Sequence, residues 1–229
     1  MKHEKKFSVS VIIPAYNGEK YLGEAIESVL SQSLEPMEII VINDGSDDET
    51  YKIEKTFSGY IKYLSQDRKG LGFSRNRGIE QSNGNFTAHL DADDLWEKEK
   101  LLFQYETFKE NRDVEITGGL MRSFYSPEID IEEIKSIYCP PDPIPSFSAS
   151  AIVVKKSCYK RIGFYSTGID DAPDLEWFIR AREYGIKEIM INKILCHRRI
   201  HKSNTGIRNA DTNRKRLHLL KQKLDRNKK

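Results

Sequence analysis

The sequence is poor in cysteine and contains no long apolar run. No stretch of apolar residues approaches the ~20 that a membrane-spanning helix requires. The three cysteines, Cys139, Cys158 and Cys196, lie far apart without a CxxC pair, which argues against a disulfide framework and against a zinc site. A signal peptide is not expected, because the short apolar part of the N-terminal segment alternates like a strand and lacks a small-residue cleavage site. We therefore expect a cytoplasmic protein with reduced thiols.

Charge is distributed unevenly along the chain. The net charge of +2 comprises 37 basic and 35 acidic residues, and residues 208–229 hold nine of the basic residues against two acidic ones. The remaining chain is acidic, with a net charge of −5. A nucleic-acid-binding domain usually carries a basic stripe on its folded face, so no nucleic-acid partner is expected. Leu217, Leu220 and Leu224 predict a basic amphipathic helix that packs on the domain, contacts a partner or lies on an anionic membrane surface.

Strand-like apolar runs alternate with helical patterns through about the first hundred residues. The predicted strands span 8–14, 37–44, 60–67 and 85–91, and the predicted helices span 19–33, 48–57, 72–81 and 97–111. Such alternation indicates right-handed βαβ units and a mostly parallel sheet with helices on both faces. Ligands of these sheets bind beyond the carboxyl ends of the strands, where this sequence places mainly polar residues. Those residues are Pro14 to Asn17, Asn43 to Gly45, Asp67 to Gly72 and Asp91 to Asp94.

The pattern is weaker after Val114. The segment 139–147 holds four prolines, which predict an extended, non-helical linker. Beyond it, the sequence predicts a strand at 148–156, a short helix near Cys158, a helix at 173–184 and a strand at 186–192.

Several common nucleotide-binding and hydrolase motifs are absent. The sequence contains neither the GxxxxGK[ST] phosphate loop nor the GxSxG nucleophile elbow. The segment GLGFSR at 70–75 begins like the dinucleotide fingerprint GxGxxG, but Arg75 stands at the third glycine and the segment follows the third predicted strand rather than the first. A dinucleotide-binding enzyme is therefore disfavoured.

The strand-end motifs resemble those of inverting family 2 glycosyltransferases with the GT-A fold. They read SVIIPAYNGEKYLGEAIESVLSQSLEPMEIIVINDGSDDET, GLGFSRNRGI and HLDADDLW, with looser matches in DLEWFIRAREYG and RRIHKSNTG, and together cover about residues 8–206. The resemblance implies an α/β fold with a Rossmann-like nucleotide-binding half, a mostly parallel mixed sheet flanked by helices, and a C-terminal acceptor-binding half. We accordingly expect one domain at 1–207, divided into halves of about 1–112 and 113–207, and a basic tail at 208–229.

The function that this resemblance implies is a metal-dependent, inverting hexosyl transfer from a nucleotide-sugar, expected to be UDP-linked, to an acceptor hydroxyl. The acceptor would belong to polysaccharide, glycolipid or other glycoconjugate biosynthesis. One alternative is a non-catalytic nucleotide-sugar-binding module or partner subunit, because Pro173 replaces a glutamate of the family pattern. A sugar-phosphate nucleotidyltransferase is disfavoured, because the loop after the first strand is not glycine-rich.

The resemblance assigns the nucleotide to residues at or after the ends of four strands. Tyr16 would stack on the base or merely pack against the first helix. Asp44 would accept the imide N–H of uracil, while a turn-capping role fits Asp47 or Asp48 better. Lys69 before the third helix and Arg75 within it are candidates for the uracil or diphosphate region, with surface solubility as the alternative. The nucleotide-binding set is Pro14, Ala15, Tyr16, Asp44, Lys69, Arg75 and Asp91.

The segment HLDADD matches the DxD element of the family. Carboxylates suit Mn²⁺ or Mg²⁺, the expected cofactor, which would neutralise the diphosphate. Asp93 is the predicted metal ligand, Asp91 would contact the ribose or the metal, and Asp94 would begin the next turn as a helix cap. In RRIHKSNTG, the resemblance implies a metal ligand in His201 and a phosphate contact in Arg199. His89 is either a core histidine or part of the substrate pocket.

The predicted catalytic base is Asp174, in the run DAPDLEWFIR. An inverting transfer needs one carboxylate that takes the acceptor proton, and Asp174 occupies the place of the family's aspartate. A first-turn acid that complements the helix dipole is the structural alternative. Asp170, Asp171 and Glu176 are the other candidates for the base.

Overall fold

The computed structural model describes residues 7–130, 139–167, 173–202 and 204. The strands are β1 (Val9–Ala15), β2 (Glu38–Asp44), β3 (Lys62–Gln66), β4 (Phe86–His89), β5 (Leu95–Trp96), β6 (Ile116–Tyr125), β7 (Ile144–Ser146), β8 (Val153–Lys155) and β9 (Glu188–Ile200). The helices are α1 (Leu22–Leu30), α2 (Lys52–Thr56), α3 (Leu71–Gln81), α4 (Lys100–Glu110), α5 (Ser157–Ile162) and α6 (Pro173–Glu183), with 3₁₀ turns at Glu49–Tyr51 and Ala149–Ala151.

All nine described strands belong to one mixed sheet, in the order β3-β2-β1-β4-β8-β6-β9-β5, with β7 paired to β6. The first four strands are parallel, with β1 between β2 and β4. In the second half, β6 and β9 are parallel, whereas β8, β7 and β5 pair antiparallel to their neighbours. The strand order reverses at β1, and this switch point is where open α/β sheets bind ligands.

Both faces of β1 are covered, so the strand is apolar along its whole length. Val11 and Ile13 face a cluster that includes the buried residues of α1, while Ile12 faces a second cluster around Trp177 of α6. Gly78 allows α3 to lie directly on β1, because a Cβ at this position would overlap the side chain of Ile12. Close packing of α3 on the sheet brings its first turn to the ligand-binding edge.

The second half contains more strand than the sequence predicted. Strand β6 went unpredicted, and β9 runs through His197 and Arg199, well beyond the predicted strand at 186–192. Much of β9 is only partly buried, and its polar residues interrupt the apolar pattern from which a strand would be predicted. The predicted strand at 148–156 is divided between the 3₁₀ turn and β8, and the predicted linker contains β7, where Pro145 is tolerated in a short strand off the main path of the sheet.

No described helix combines the length and the apolar character needed to cross a membrane. The three cysteines are free thiols, two of them buried. The predicted tail at 208–229 lies outside the described residues.

A buried lysine begins α4. The side chain of Lys100 is fully buried, donates to Gln104 Oε1 at 2.7 Å and lies 4.1 Å from the Trp96 ring. Burial disfavours the ammonium and lowers the pKa of Lys100 to about 7. An unfolded lysine titrates near ~10.4, so the charge destabilises the fold fully below pH ~7 and this cost vanishes as pH rises above the unfolded value.

Replacement of Lys100 by methionine is therefore expected to help the fold more at low pH than at high pH. The gain in unfolding free energy relative to wild type should be about 3 kcal/mol larger at pH ~6 than at pH ~9. Any constant loss, such as the missing donor to Gln104, cancels in this difference. Urea titrations at both pH values measure it, with the exposed Lys98→Met as a matched control. Equal gains at the two pH values would show that Lys100 titrates normally in the fold.

Candidate active site

The end of β1 carries three of the residues predicted to hold the nucleotide. Pro14 and Ala15 are buried, whereas Tyr16 directly after them keeps 39% of its surface exposed. The Arg68 guanidinium lies 3.5 Å from the centre of the Tyr16 ring, in a cation–π contact. The sequence placed Arg68 at the same sheet edge, within Asp67 to Gly72, but did not single it out as a nucleotide-binding residue.

Asp44 ends β2 and is only 5% exposed. Its Oδ1 accepts hydrogen bonds from the Lys69 amide at 2.9 Å and from Gln66 Nε2 at 2.7 Å, and its Oδ2 accepts from the Gly70 amide at 2.8 Å. These bonds anchor the loop after β3 to β2. The capping role falls to Asp48, which accepts from the amide two residues further on, as the sequence predicted.

The two basic residues predicted near the uracil or diphosphate have opposite environments. Lys69 is exposed, with its ammonium 4.5 Å from the Phe73 ring. Arg75 is fully buried and donates to Asp91 at 2.7 Å and to Asp174. The surface alternative is therefore wrong for Arg75. Burial opposes its charge, but attraction by Asp174 and Asp91 outweighs this cost and raises the pKa of Arg75.

Asp93 is the carboxylate of the DxD element that lies beside His201. Its Oδ2 is 2.9 Å from His201 Nε2 and accepts a hydrogen bond from Asn204 Nδ2 at 3.0 Å. Asn204 also binds the His201 amide through its side-chain oxygen at 2.6 Å. The structure therefore brings the two predicted metal ligands together, and it adds Asn204, which sequence reasoning missed.

Asp94 is buried within the same turn and does not cap a helix. Its Oδ2 accepts from the Ser150 hydroxyl at 2.7 Å, and its Oδ1 accepts from the Arg199 amide at 3.2 Å. The capping prediction is wrong because β5 follows directly and α4 begins only at Lys100. Desolvation, with the neighbouring charges of Asp93 and Asp91, raises the pKa of Asp94 well above its ordinary value.

Arg199 points into the protein at 4% exposure. Its Nε donates to the Asp93 carbonyl at 3.1 Å, and its Nη2 donates to Glu24 of α1 at 2.6 Å. The guanidinium lies between two rings, 4.7 Å from Tyr21 and 4.9 Å from Phe124. Its described contacts therefore hold the DxD turn in place, and sequence reasoning missed the two rings and Glu24.

Asp174 is the second residue of α6, and its side chain keeps 27% of its surface exposed. Its partner is the buried Arg75, so the predicted base and the DxD element are joined through one guanidinium. Glu176 is bound elsewhere, by the Ser166 hydroxyl at 2.8 Å and by Arg180 Nε at 2.9 Å. The other candidate bases, Asp170 and Asp171, lie outside the described residues.

The family model for glycosyl transferase family 2 matches residues 10–147, more than half of the chain. The chain belongs to glycosyltransferase family 2. The predicted resemblance and fold class are thereby confirmed, and comparison with known proteins supports both.

Two curated relatives illustrate how this family 2 glycosyltransferase compares with longer proteins. An uncharacterised glycosyltransferase of Rickettsia prowazekii (strain Madrid E) is 37% identical over 133 residues, which is 57% of this chain and 40% of the relative. A chondroitin synthase of Escherichia coli is 28% identical over 218 residues, 89% of this chain and 30% of the relative. The chain thus spans less than half the length of both relatives.

Solved structures of S. aureus TarS share the fold. A TarS structure aligns with a TM-score of 0.69 and 20% identity, over 85% of this chain and 37% of that chain. TarS 1–349 in complex with UDP aligns with a TM-score of 0.68 and 18% identity, over 93% of this chain and 64% of that chain. At these identities the likeness establishes the GT-A architecture of this family 2 glycosyltransferase.

The donor set around Asp93 fits a cation that is shared with a substrate diphosphate. The carboxylate of Asp93 and the imidazole of His201 lie within 2.9 Å of each other, so one ion could take both as ligands. Within the described ranges, no group of three or more His, Cys, Asp or Glu side chains could enclose a metal. Magnesium-type sites commonly use one or two protein ligands plus phosphate oxygens and water, and histidine suits Mn²⁺.

His89, at the end of β4, is a core histidine of this family 2 glycosyltransferase. It is fully buried, with Nε2 3.2 Å from the Tyr159 hydroxyl and its ring edge-on to Tyr165 at 5.5 Å. Burial, with the charges of Arg75 and Lys100, lowers the pKa of His89 well below its ordinary value. The imidazole is therefore neutral and serves packing, which resolves the alternative between core and pocket.

Proposed function

We propose that this chain transfers a sugar from a UDP-linked donor to an acceptor hydroxyl, with inversion and with help from Mn²⁺ or Mg²⁺. One observation carries the proposal. A candidate base, Asp174, and a candidate metal ligand, Asp93, lie at the same edge of the sheet, and the Arg75 guanidinium joins the base to Asp91 of the DxD element. An inverting transfer needs a base on one side of the anomeric carbon and leaving-group stabilisation on the other.

The donor would lie along the ends of β1, β2 and β4. Tyr16 offers a partly exposed ring on which the nucleobase can stack. The amide groups at the start of α3 favour the anionic diphosphate. In this arrangement Asp44 also supports nucleobase binding indirectly, because its carboxylate anchors the loop that carries Arg68 and Lys69. Asp91 stands next to the ribose or the metal.

The leaving-group side is formed by Asp93 and His201. These residues would hold the divalent cation, which supplies charge neutralisation to the departing diphosphate. On this side Arg199 positions Asp93. Its hydrogen bonds to the Asp93 carbonyl and to Glu24 fix the turn that carries the Asp93 carboxylate.

Asp174 would accept the proton of the acceptor hydroxyl as the oxygen attacks the anomeric carbon. Its position at the start of α6 and its partial exposure allow an acceptor to reach it. Proline suits the first position of a helix, so Pro173 helps to fix the start of α6.

The ligands bound to structural neighbours support the choice of donor. TarS structures were solved with UDP and with UDP-GlcNAc, and a chondroitin synthase is among the curated relatives. We therefore place a UDP-sugar donor and a glycan or other glycoconjugate acceptor first among the candidates.

A non-catalytic nucleotide-sugar-binding module is the second candidate, and the replacement of the family glutamate by Pro173 favours it. Both candidates are tested with the full chain in one experiment. Thermal shift with UDP-, GDP- and dTDP-sugars, with and without Mn²⁺, is followed by measurement of UDP release with and without added acceptors.

We expect stabilisation by UDP-sugars that requires Mn²⁺, and slow UDP release that acceptors accelerate. Stabilisation without UDP release, given a range of acceptors, would favour the binding module. Stabilisation by another nucleotide would overturn the choice of UDP. Contact of the basic segment 208–229 with an anionic membrane stays a prediction, which vesicle co-sedimentation with and without that segment checks.

A further inference from the structure

Arg75 is the only described side chain that we find bonded to both the end of β4 and the start of α6. Its two terminal nitrogens donate to different carboxylates, Nη2 to Asp91 Oδ1 at 2.7 Å and Nη1 to Asp174 Oδ1. The side chain is fully buried, and its guanidinium lies 5.6 Å from the Tyr165 ring. One rigid group therefore fixes the relative positions of two acids that come from distant parts of the chain.

The backbone around Arg75 is held by other contacts. Gly72 lets α3 touch the segment before α6, because a Cβ there would overlap the Ser166 carbonyl oxygen. Asn76 exchanges two hydrogen bonds with the Tyr165 backbone, at 2.8 and 2.9 Å. Ser166 in turn binds Glu176 of α6 at 2.8 Å. These contacts hold helix α3 and the start of α6 together without the guanidinium. The two terminal nitrogens of Arg75 therefore serve to position the two carboxylates.

The positions of the Asp91 and Asp174 carboxylates both depend on the Arg75 guanidinium. Only one oxygen of Asp174 is bonded to Arg75, and the side chain keeps 27% of its surface exposed, so an acceptor hydroxyl can approach the carboxylate. Without a cation between them, Asp91 and Asp174 would repel each other. A lysine is a point charge and cannot satisfy two separated carboxylates with fixed geometry.

We propose that Arg75 is a positioning residue for the transfer reaction, which aims the Asp174 carboxylate at the acceptor and couples it to the donor-side Asp91. The sequence placed Arg75 on the uracil or the diphosphate, whereas the described bonds direct it to the two acids. This proposal rests on the proposed function, because it needs Asp174 to act as the base.

A double-mutant cycle tests the proposal on the full chain. The variants are Arg75→Lys, Asp174→Asn and their combination, measured by transfer from UDP-sugar. Arg75→Lys is expected to lower kcat by about 10²-fold, since small misplacement of a reacting group has effects of this size. The donor KM should rise much less than kcat falls, because Asp91 is only one of several donor contacts. In the Asp174→Asn background, Arg75→Lys should change the residual rate by no more than about twofold.

The partly exposed Arg77 of the same helix, bonded to the Ser65 carbonyl and Gln66, provides the matched control Arg77→Lys. It should leave kcat unchanged. If Arg75→Lys does not fold by circular dichroism, Arg75→Gln takes its place in the cycle.

The outcomes separate the two proposals. If the losses of kcat in Arg75→Lys and Asp174→Asn simply multiply in the double variant, Arg75 has a purely structural role and the positioning role is overturned. If a rise in donor KM accounts for the whole loss in Arg75→Lys, Arg75 is a donor contact instead. Absence of turnover in the wild type with suitable acceptors would overturn the proposed function and, with it, this role.

Discussion

Asp174→Asn is expected to lower sugar transfer by about 10³-fold while UDP binding stays unchanged. Asparagine keeps the size of the side chain and its place in the first turn of α6, but it cannot take a proton from the acceptor hydroxyl. Arg75 retains Asp91 as a charged partner, so the buried guanidinium is not left without a counter-ion. The loss should therefore lie in kcat. Steady-state kinetics and calorimetric titration with UDP measure the two effects separately.

The informative comparison is Glu176→Gln. Glu176 lies in the same first turn, but its carboxylate is held by Ser166 and Arg180. We expect Glu176→Gln to retain transfer and to lose some stability. A large loss of kcat in Glu176→Gln together with normal turnover in Asp174→Asn would show that the base has been assigned to the wrong acid.

Asp93→Ala should remove the manganese-dependent part of UDP binding. Changes to residues that merely support metal ligands cost roughly 10–100-fold in metal affinity, so loss of the ligand itself should cost about 100-fold or more. His201 and Asn204 would lose their common partner, the Oδ2 atom of Asp93. Calorimetric titration with UDP, in the presence and absence of Mn²⁺, should give nearly the same weak affinity for the variant.

The exposed carboxylate of Asp67, in the loop after β3, supplies the control. Asp67→Asn removes one negative charge near the same edge of the sheet and should leave the manganese dependence intact. Unchanged manganese dependence in Asp93→Ala would mean that the ion is held by other groups. The two variants together separate a specific ligand from a general effect of charge.

The sequence predicted the first half of the fold well because its central strands, β1, β2 and β4, are buried on both faces. An apolar run such as that of β1 can be recognised without knowing its neighbours. Strand β9 is different, since His197, Arg198 and Arg199 become strand residues through pairing with β6 and, at His197, also with β5. Such long-range pairing leaves no local pattern in the sequence.

The candidate site shows the same division. Motif resemblance located Asp91, Asp93 and Asp174, but it gave no direction for the side chains. Arg75 and Arg199 both turn inward, to partners that lie at distant positions in the sequence. Arg68 lies among the predicted strand-end residues and Asn204 in the motif RRIHKSNTG, but the contacts of both, and those of Glu24, are visible only in the folded chain.

The slot that holds Arg199 should restrict substitution at this charged position as strongly as core packing restricts substitution at an interior position. The slot is lined by the rings of Tyr21 and Phe124, and it ends at the Glu24 carboxylate and the Asp93 carbonyl. Lysine lacks the planar fork, and an apolar residue leaves Glu24 without its cation. A substitution profile at position 199 should therefore be as narrow as that of a core leucine, although the residue carries a full charge.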